Sequence, residues 1–216
     1  MIEGGLCVIT RRVERLGREH RDVAAAALEG GARLIQVRDK ELSTRRLFEV
    51  VLDIRPLVRA AGARLIVNDR VDIALAAEAD GVHVGDEDLP AAQARRLLGP
   101  EAIVGVSVAS AAEARAAEAA GASYVSVGPI FATGSKPDAG RPIGAAAIGE
   151  IKRAVDVPVL AIGGIRRDNA AEMIRAGADG VAVISAVAEA ADMVCATAEL
   201  LRLIGGARPG PGGARG

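Results

Sequence analysis

Glutamine, asparagine and histidine occur only twice each in this chain, at Gln36 and Gln93, Asn68 and Asn169, His20 and His83. Lysine occurs only at Lys40, Lys136 and Lys152 among 27 basic residues. Most of these scarce types follow directly on short apolar runs. They read Gln36-Val37-Arg38-Asp39-Lys40, Asn68-Asp69-Arg70, His83 with Gly85, Asp86, Glu87 and Asp88, then Ser107, Gly128 to Lys136, Gly163-Gly164 and Ile184-Ser185. Surface scatter would not concentrate them so. Asp69 and Asp88 are hard oxygen donors of the kind that hold Mg²⁺ together with phosphate oxygens of a substrate. For each, helix capping or an ion pair is the plainer alternative. Arg38, Lys40 and Lys136 could neutralise a pyrophosphate, with solvated surface charge as the alternative. Gly163-Gly164, and Gly180 with Ser185, suit a backbone cradle for phosphate. His83 reads as structural rather than catalytic. His20, Gln93, Asn169 and Lys152 fall in predicted helices and are assigned no function. With Phe48, Tyr124 and Phe131 the only aromatics, recognition must rest on polar groups and backbone N–H.

The elements that must position these groups recur along the whole chain. Eight short apolar runs, Leu6–Thr10, Arg33–Val37, Arg64–Val67, Gly81–Val84, Ile103–Val106, Ser123–Val127, Pro158–Ile162 and Gly180–Ile184, have the Val/Ile content of strands buried on both faces. Helical segments separate them: Glu19–Glu29, Thr44–Ala60, Val71–Ala77, Ala91–Leu98, Ala111–Ala120, Ala145–Ala154, Asn169–Ala176 and Val187–Leu203. Glycine at Gly30-Gly31, Gly62, Gly121 and Gly177 ends four of these helices just before a strand. Ser43 and Ser110 stand at N-cap positions, and Pro90 where a first-turn proline fits.

Strand, loop, helix and glycine turn repeat about every 25 residues. The pattern predicts an α/β protein, a single (β/α)8 TIM barrel over residues 1–204 with its phosphate site at the C-terminal strand ends. A doubly wound sheet would place a glycine-rich loop after its first strand, and Thr10-Arg11-Arg12 is none. Residues 205–216, rich in glycine with Pro209 and Pro211, are expected to be a disordered tail. Side chains at i and i+2 share a strand face. Gln36, Arg38 and Lys40 should therefore point into the barrel mouth, and Ile35 and Val37 toward helices. The connection Gly128–Gly140, in which Thr133 and Ser135 flank Gly134 ahead of Lys136, is longer than a simple turn. That suits an anion-binding or closing loop.

Net charge −1 and the lack of a basic block argue against a nucleic-acid surface. No apolar run reaches the length of a membrane span and no secretory signal opens the chain. A reduced cytoplasm, with Cys7 and Cys195 as two buried thiols, is the expectation. A homo-oligomer is left open.

The chain resembles the thiamine phosphate synthase family from Gln36 to Ser185. The resemblance rests on Gln36-x-Arg38-x-Lys40, Asn68-Asp69-Arg70, His83-x-Gly85-x-x-Asp88, and Gly128-Pro-Ile-Phe131 followed by Thr133-x-Ser135-Lys136. Ile162-Gly-Gly-Ile165 belongs to it too, but is common to many phosphate-binding barrels. It implies a substitution in which hydroxymethylpyrimidine pyrophosphate loses pyrophosphate and the ring nitrogen of thiazole phosphate takes the methylene carbon. It implies that Gln36, Val37, Arg38, Asp39, Lys40, Asn68, Ser107 and Lys136 hold the pyrimidine pyrophosphate, with Arg38, Lys40, Ser107 and Lys136 catalytic. Thiazole phosphate would lie on Thr133, Gly134, Ser135, Gly163, Gly164, Ile184 and Ser185, and Mg²⁺ on Asp69 and Asp88. The chain departs from the family at Asp86, where glutamine is common. The competing readings are a thiazole tautomerase, a non-catalytic barrel that binds thiamine precursors, and a sugar-phosphate epimerase or isomerase. The last would need an acid/base pair, for which His83 is the only imidazole at a strand end.

Overall fold

The computed structural model describes residues 5–135 and 140–208. Eight parallel strands close into a barrel in chain order: β1 Leu6–Thr10, β2 Leu34–Val37, β3 Arg64–Asn68, β4 Gly81–Val84, β5 Ile103–Val108, β6 Tyr124–Val127, β7 Val159–Ile162 and β8 Gly180–Val183. Pairing of Cys7 with Leu34 on one side and with Ala182 on the other closes the ring. Around it lie α1 His20–Glu29, α2 Thr44–Ala60, α3 Val71–Ala76, α4 Ala91–Leu98, α5 Ala111–Ala119, α6 Ala146–Lys152, α7 Ala170–Arg175, α8 Ser185–Ala188 and α9 Met193–Ala207.

Strand alternation divides the apolar side chains into two cores. Val8, Ile35, Val37, Leu65, Val67, Val82, Val104 and Val125 face the helices. Cys7, Ile9, Leu34, Ile66, Tyr124, Leu160 and Ala182 fill the barrel. Each wholly buried Val, Leu or Ile contributes roughly 1.5–3 kcal/mol over leaving it in water, so slipping a strand by one residue is strongly penalised. The helices meet the outer core with single stripes. In α2 these are Leu47, Val51, Ile54 and Val58, at the spacing of one helical face. Ser43 and Ser110 cap α2 and α5 as expected, accepting from Arg46 N at 3.4 Å and Glu113 N at 3.2 Å. Gly31, Gly62, Gly121 and Gly177 all take positive φ.

The C-terminal part differs from the sequence reading. One continuous helix over 187–203 is expected; the chain instead breaks between α8 and α9. Arg18 reaches the break from across the molecule and caps it. Its Nη1 donates to Ala188 O at 2.8 Å and Ala190 O at 2.7 Å, taking carbonyls that a helix would use. Asp192 then starts α9, accepting from Cys195 N at 2.9 Å. Helix α9 runs through Gly205 and Gly206 to Ala207, past the expected start of the tail, because Ile204 is buried and Arg208 donates to Asp179 O. Residues 209–216 lie outside the described residues. Cys195 is exposed rather than buried, lying off the stripe of Thr197, Leu200 and Ile204 that α9 presents to the barrel. No described helix is long and apolar enough to cross a membrane.

Gly105, inside β5, makes room for the barrel's polar floor. A Cβ there would lie 2.2 Å from Tyr124 Cζ and 2.5 Å from His83 Nδ1. Gly105→Ala must therefore push the tyrosine and histidine off their rotamers, at a cost of about 1–3 kcal/mol. Urea unfolding at pH 7 should show the midpoint falling with an unchanged slope.

Candidate active site

The C-terminal strand ends open into a cavity of about 980 Å³. Two sets of groups face each other across it. Strands β3 and β7 stand four places apart in a ring of eight, so the groups they carry lie on opposite walls.

The first wall is built by β2, β3 and β4. Beyond the end of β2, Arg38 and Lys40 reach the cavity. At the end of β3, Asn68 is buried and registered beside His83 of β4. Asp69 follows with φ +62°, a left-handed conformation that aspartate tolerates better than most residues. Its N–H still pairs with His83 O at 2.8 Å, and the turn swings its carboxylate toward Asp88. Asp88 is held by Gly85 N–H, which donates to Oδ2 at 2.7 Å. Lys40 Nζ lies 3.6 Å from Asp69 Oδ2. Burial, then the hydrogen bond and the negative charge of Asp88, push the Asp69 carboxyl up from an ordinary 3.8 to about 6, against the pull of Lys40 and Arg38. Two carboxylates thus share one small space.

The second wall comes from β7, β8 and the connection after β6. Gly163 and Gly164 pack so tightly on that connection that Cβ atoms would lie 2.6 Å from Pro129 Cα and 2.7 Å from Phe131 Cβ. Ser135 Oγ and Ser185 Oγ are 3.2 Å apart, and Thr133 Oγ1 accepts from Ser135 N at 3.2 Å. Asn169 braces the loop after β7, donating to Gly164 O and accepting from Arg166 N. Between the walls the floor is polar. His83 is hydrogen-bonded through Nδ1 to Tyr124 Oη at 3.0 Å and through Nε2 to Ser107 Oγ at 2.9 Å. Buried between two hydroxyls, His83 reads as a structural group.

The expected site residues sort unevenly. Arg38, Lys40, Asn68, Asp69, Asp88, Ser107, Thr133, Gly134, Ser135, Gly163, Gly164, Ile184 and Ser185 all line the cavity. Val37 does not; it is buried against the helices, as strand alternation requires. Nor does Asp39, which points away to His20 and Arg12. Gln36 does not line it either: it sits inside the barrel at 2% exposure, hydrogen-bonded to Tyr124 and with its Oε1 unpartnered. Lys136 lies outside the described residues. Asp86 is exposed and lines the cavity beside Glu87. The sequence reading missed Arg11, Arg166 and Glu189, which also line it. Arg11 directly follows the last residue of β1, which was the available signal. Among the described residues the lining carries six carboxylates, at 69, 86, 87, 88, 113 and 189, against four cationic side chains, at 11, 38, 40 and 166.

A (β/α)8 barrel with polar groups and a glycine cradle at its C-terminal strand ends belongs among the phosphate-binding barrels. The family model described as thiamine monophosphate synthase matches residues 6–187, and the chain belongs to that family. A thiamine-phosphate synthase of Moorella thermoacetica is 57% identical over 192 residues, covering 89% of this chain and 91% of that protein. One from Roseiflexus sp. is 55% identical, covering 94% and 87%. Among solved structures, a thiamine phosphate pyrophosphorylase from Pyrococcus furiosus superposes with a TM-score of 0.86 at 44% identity, covering 95% of this chain and 98% of that one.

The carboxylate pair has a measurable cost. Between pH 4 and 6 the folded state holds a proton on Asp69 that the unfolded chain has already released, so stability falls as pH rises through this window. The penalty is complete above pH 6 and absent below 3.8. In metal-free buffer at pH 8, Asp69→Asn should therefore melt above the wild type. A gain of about 1 kcal/mol raises Tm by about 2–4 °C in a domain of this size. The gain should vanish near pH 4.

Proposed function

We propose that the chain is a transferase that condenses hydroxymethylpyrimidine pyrophosphate with thiazole phosphate to give thiamine phosphate and pyrophosphate. The observation that supports this reading is the pair of opposed polar walls in one cavity. A carboxylate pair with Arg38 and Lys40 stands on one wall, and the Gly163-Gly164 cradle with Ser135 and Ser185 on the other. A thiazole tautomerase would have no use for the first wall.

The residues fit a divalent cation on Asp69 and Asp88. The two carboxylates crowd one another, and carboxylates outnumber cationic groups around the described cavity, so an added anion is unfavourable without a counter-charge. Mg²⁺ bound there would neutralise charge building on the departing pyrophosphate.

The protein's own part is placement and charge. Arg38 and Lys40, joined by Lys136, hold the pyrophosphate and draw electron density toward it as the C–O bond to the methylene carbon breaks. Gln36, with an unpaired buried Oε1, is the acceptor that the amino group of the pyrimidine requires. Asn68 and Ser107 fix the ring at the polar floor, where its amino group donates electrons to the cationic methylene carbon. The second wall anchors the thiazole by its phosphate, so that the ring nitrogen lone pair faces that carbon from the side opposite the leaving group. The C–N bond then forms without proton transfer, because the nitrogen is neutral and already carries the pair. No general base is needed, which suits a site whose one imidazole is held between Tyr124 and Ser107. Preorganised charge and alignment supply the rate. The reading places the reaction in the cytoplasm, where free thiols such as Cys7 and Cys195 persist.

Incubation of the full chain with both precursors and Mg²⁺ should yield thiamine phosphate by mass and one pyrophosphate per product. A chelator should stop both. Asp69→Ala and Lys136→Ala should each lower turnover by about 10²-fold or more, the scale of one lost electrostatic group. Turnover like the wild type in both variants, at saturating substrates and Mg²⁺, would remove these residues from the mechanism.

A further inference from the structure

Asp39 falls between the two cations of the first wall, yet its carboxylate is directed away from them. The reason lies in a buried network outside the cavity. Asp39 Oδ2 is 3.1 Å from Nε2 of His20, the first residue of α1, and 3.6 Å from Arg12 Nε. Its Oδ1 accepts from the N–H groups of Glu41 and Leu42 at 2.9 and 3.0 Å. His20 is 1% exposed, and its Nδ1 is 2.8 Å from Oγ1 of Thr10, the wholly buried last residue of β1. Thr10 is in turn registered beside Val37.

The protons of this network follow from the groups present. A carboxylate only accepts, so Nε2 carries the hydrogen and donates to Asp39, and Nδ1 of the neutral ring accepts from the Thr10 hydroxyl. Burial depresses the His20 pKa and keeps the ring neutral. Asp39 is held below the usual carboxylate range. Burial there is outweighed by the hydrogen bonds from His20, Glu41 and Leu42. Threonine, histidine and aspartate in this order outline a nucleophile triad. The Thr10 hydroxyl is fully buried, however, and none of the three lines the cavity. The network holds something in place.

What it holds is the facing of the loop after β2. There Arg38 and Lys40 line the cavity while Val37 and Asp39 point outward, although β2 itself ends at Val37. A one-residue slip would exchange two cations for a carboxylate and a valine at the anion site. We propose that His20 and Asp39 form a latch that fixes this facing, and that both are positioning residues for the binding of a diphosphate by Arg38 and Lys40. This rests on the diphosphate reading of the first wall.

The test is binding of inorganic pyrophosphate with Mg²⁺ to the full chain by calorimetry, beside the KM for thiazole phosphate. His20→Ala and Asp39→Ala should weaken pyrophosphate by about tenfold or more, on the scale of a small misplacement of binding groups. The KM for thiazole phosphate, which binds the far wall, should stay within about twofold. Asp39→Asn should restore binding, because His20 can change tautomer and the Thr10 hydroxyl can rotate, so that every hydrogen bond is remade. If His20→Ala does not fold, Asp39→Ala in the loop carries the test. Unchanged pyrophosphate binding in Asp39→Ala, or equal losses for both ligands, overturns the latch. A wild type that does not bind pyrophosphate overturns the diphosphate reading and the latch with it, a failure visible before any variant is made.

Discussion

Asp69 and Asp88 repel one another, and the architecture around them exists at that expense. Each is delivered by a separate device: Asp69 by a left-handed turn one residue beyond β3, Asp88 by a backbone donor from Gly85 in the loop after β4. Neither device would persist on its own merits in a surface loop, where the two carboxylates would simply move apart. The closed ring prevents this. Asp69 N–H is bonded to His83 O on the adjacent strand, so the end of β3 cannot retreat without breaking the ladder. The stability of a barrel with two apolar cores is large enough to hold a local arrangement that is unfavourable alone. Strain of this sort is useful only where a ligand relieves it. A cation that offsets both charges would bind more tightly for having been anticipated by the fold.

The same closure explains why the two ends of the reaction do not interfere. On the proposed reading the binding groups for both anions share one rim, yet β3 and β7 lie across the ring from each other. Two anions at that separation, each with its own counter-charges, repel less than they would as neighbours. The heterocycles they carry would then be directed toward the centre, over the floor of His83, Tyr124 and Ser107. On that reading, opposed anchoring would supply alignment, and with it an effective concentration of a neutral nucleophile.

Much of this was legible in the residues because the barrel imposes strict periodicities. β1 and β4 begin and end where the apolar runs do, and alternation put Gln36, Arg38 and Lys40 on one face before any coordinates. It also turned Val37 outward. Assigning the whole run Gln36 to Lys40 to the ligand conflicts with that alternation, and the structure follows the alternation. What was not legible depends on contacts between distant segments. The break between α8 and α9 is capped by Arg18, some 170 residues earlier in the chain, and no local propensity encodes that contact. Arg166 and Glu189 reach the cavity through the paths of their loops, which apolar patterning does not report. His20 looks from its spacing like one more residue of a helical segment; its partners are Thr10 and Asp39 on two other elements.

The shortage of aromatic residues accounts for the remaining character of the site. With only Tyr124 in the floor, and its hydroxyl already bonded to His83, flat stacking surfaces are scarce. On the proposed reading, ring recognition would then rest on directional groups such as Asn68, Ser107 and Gln36. Directional groups discriminate by leaving a buried partner unpaired when the wrong ligand enters, at roughly 1–3 kcal/mol for each. Gln36 Oε1 is already without a partner. On that reading, a ring presenting an amino donor would relieve it, whereas one presenting an acceptor would add a second unpaired group. Selection at this floor would, on the same reading, work by relief of an existing deficit, as cation binding would at the carboxylate pair.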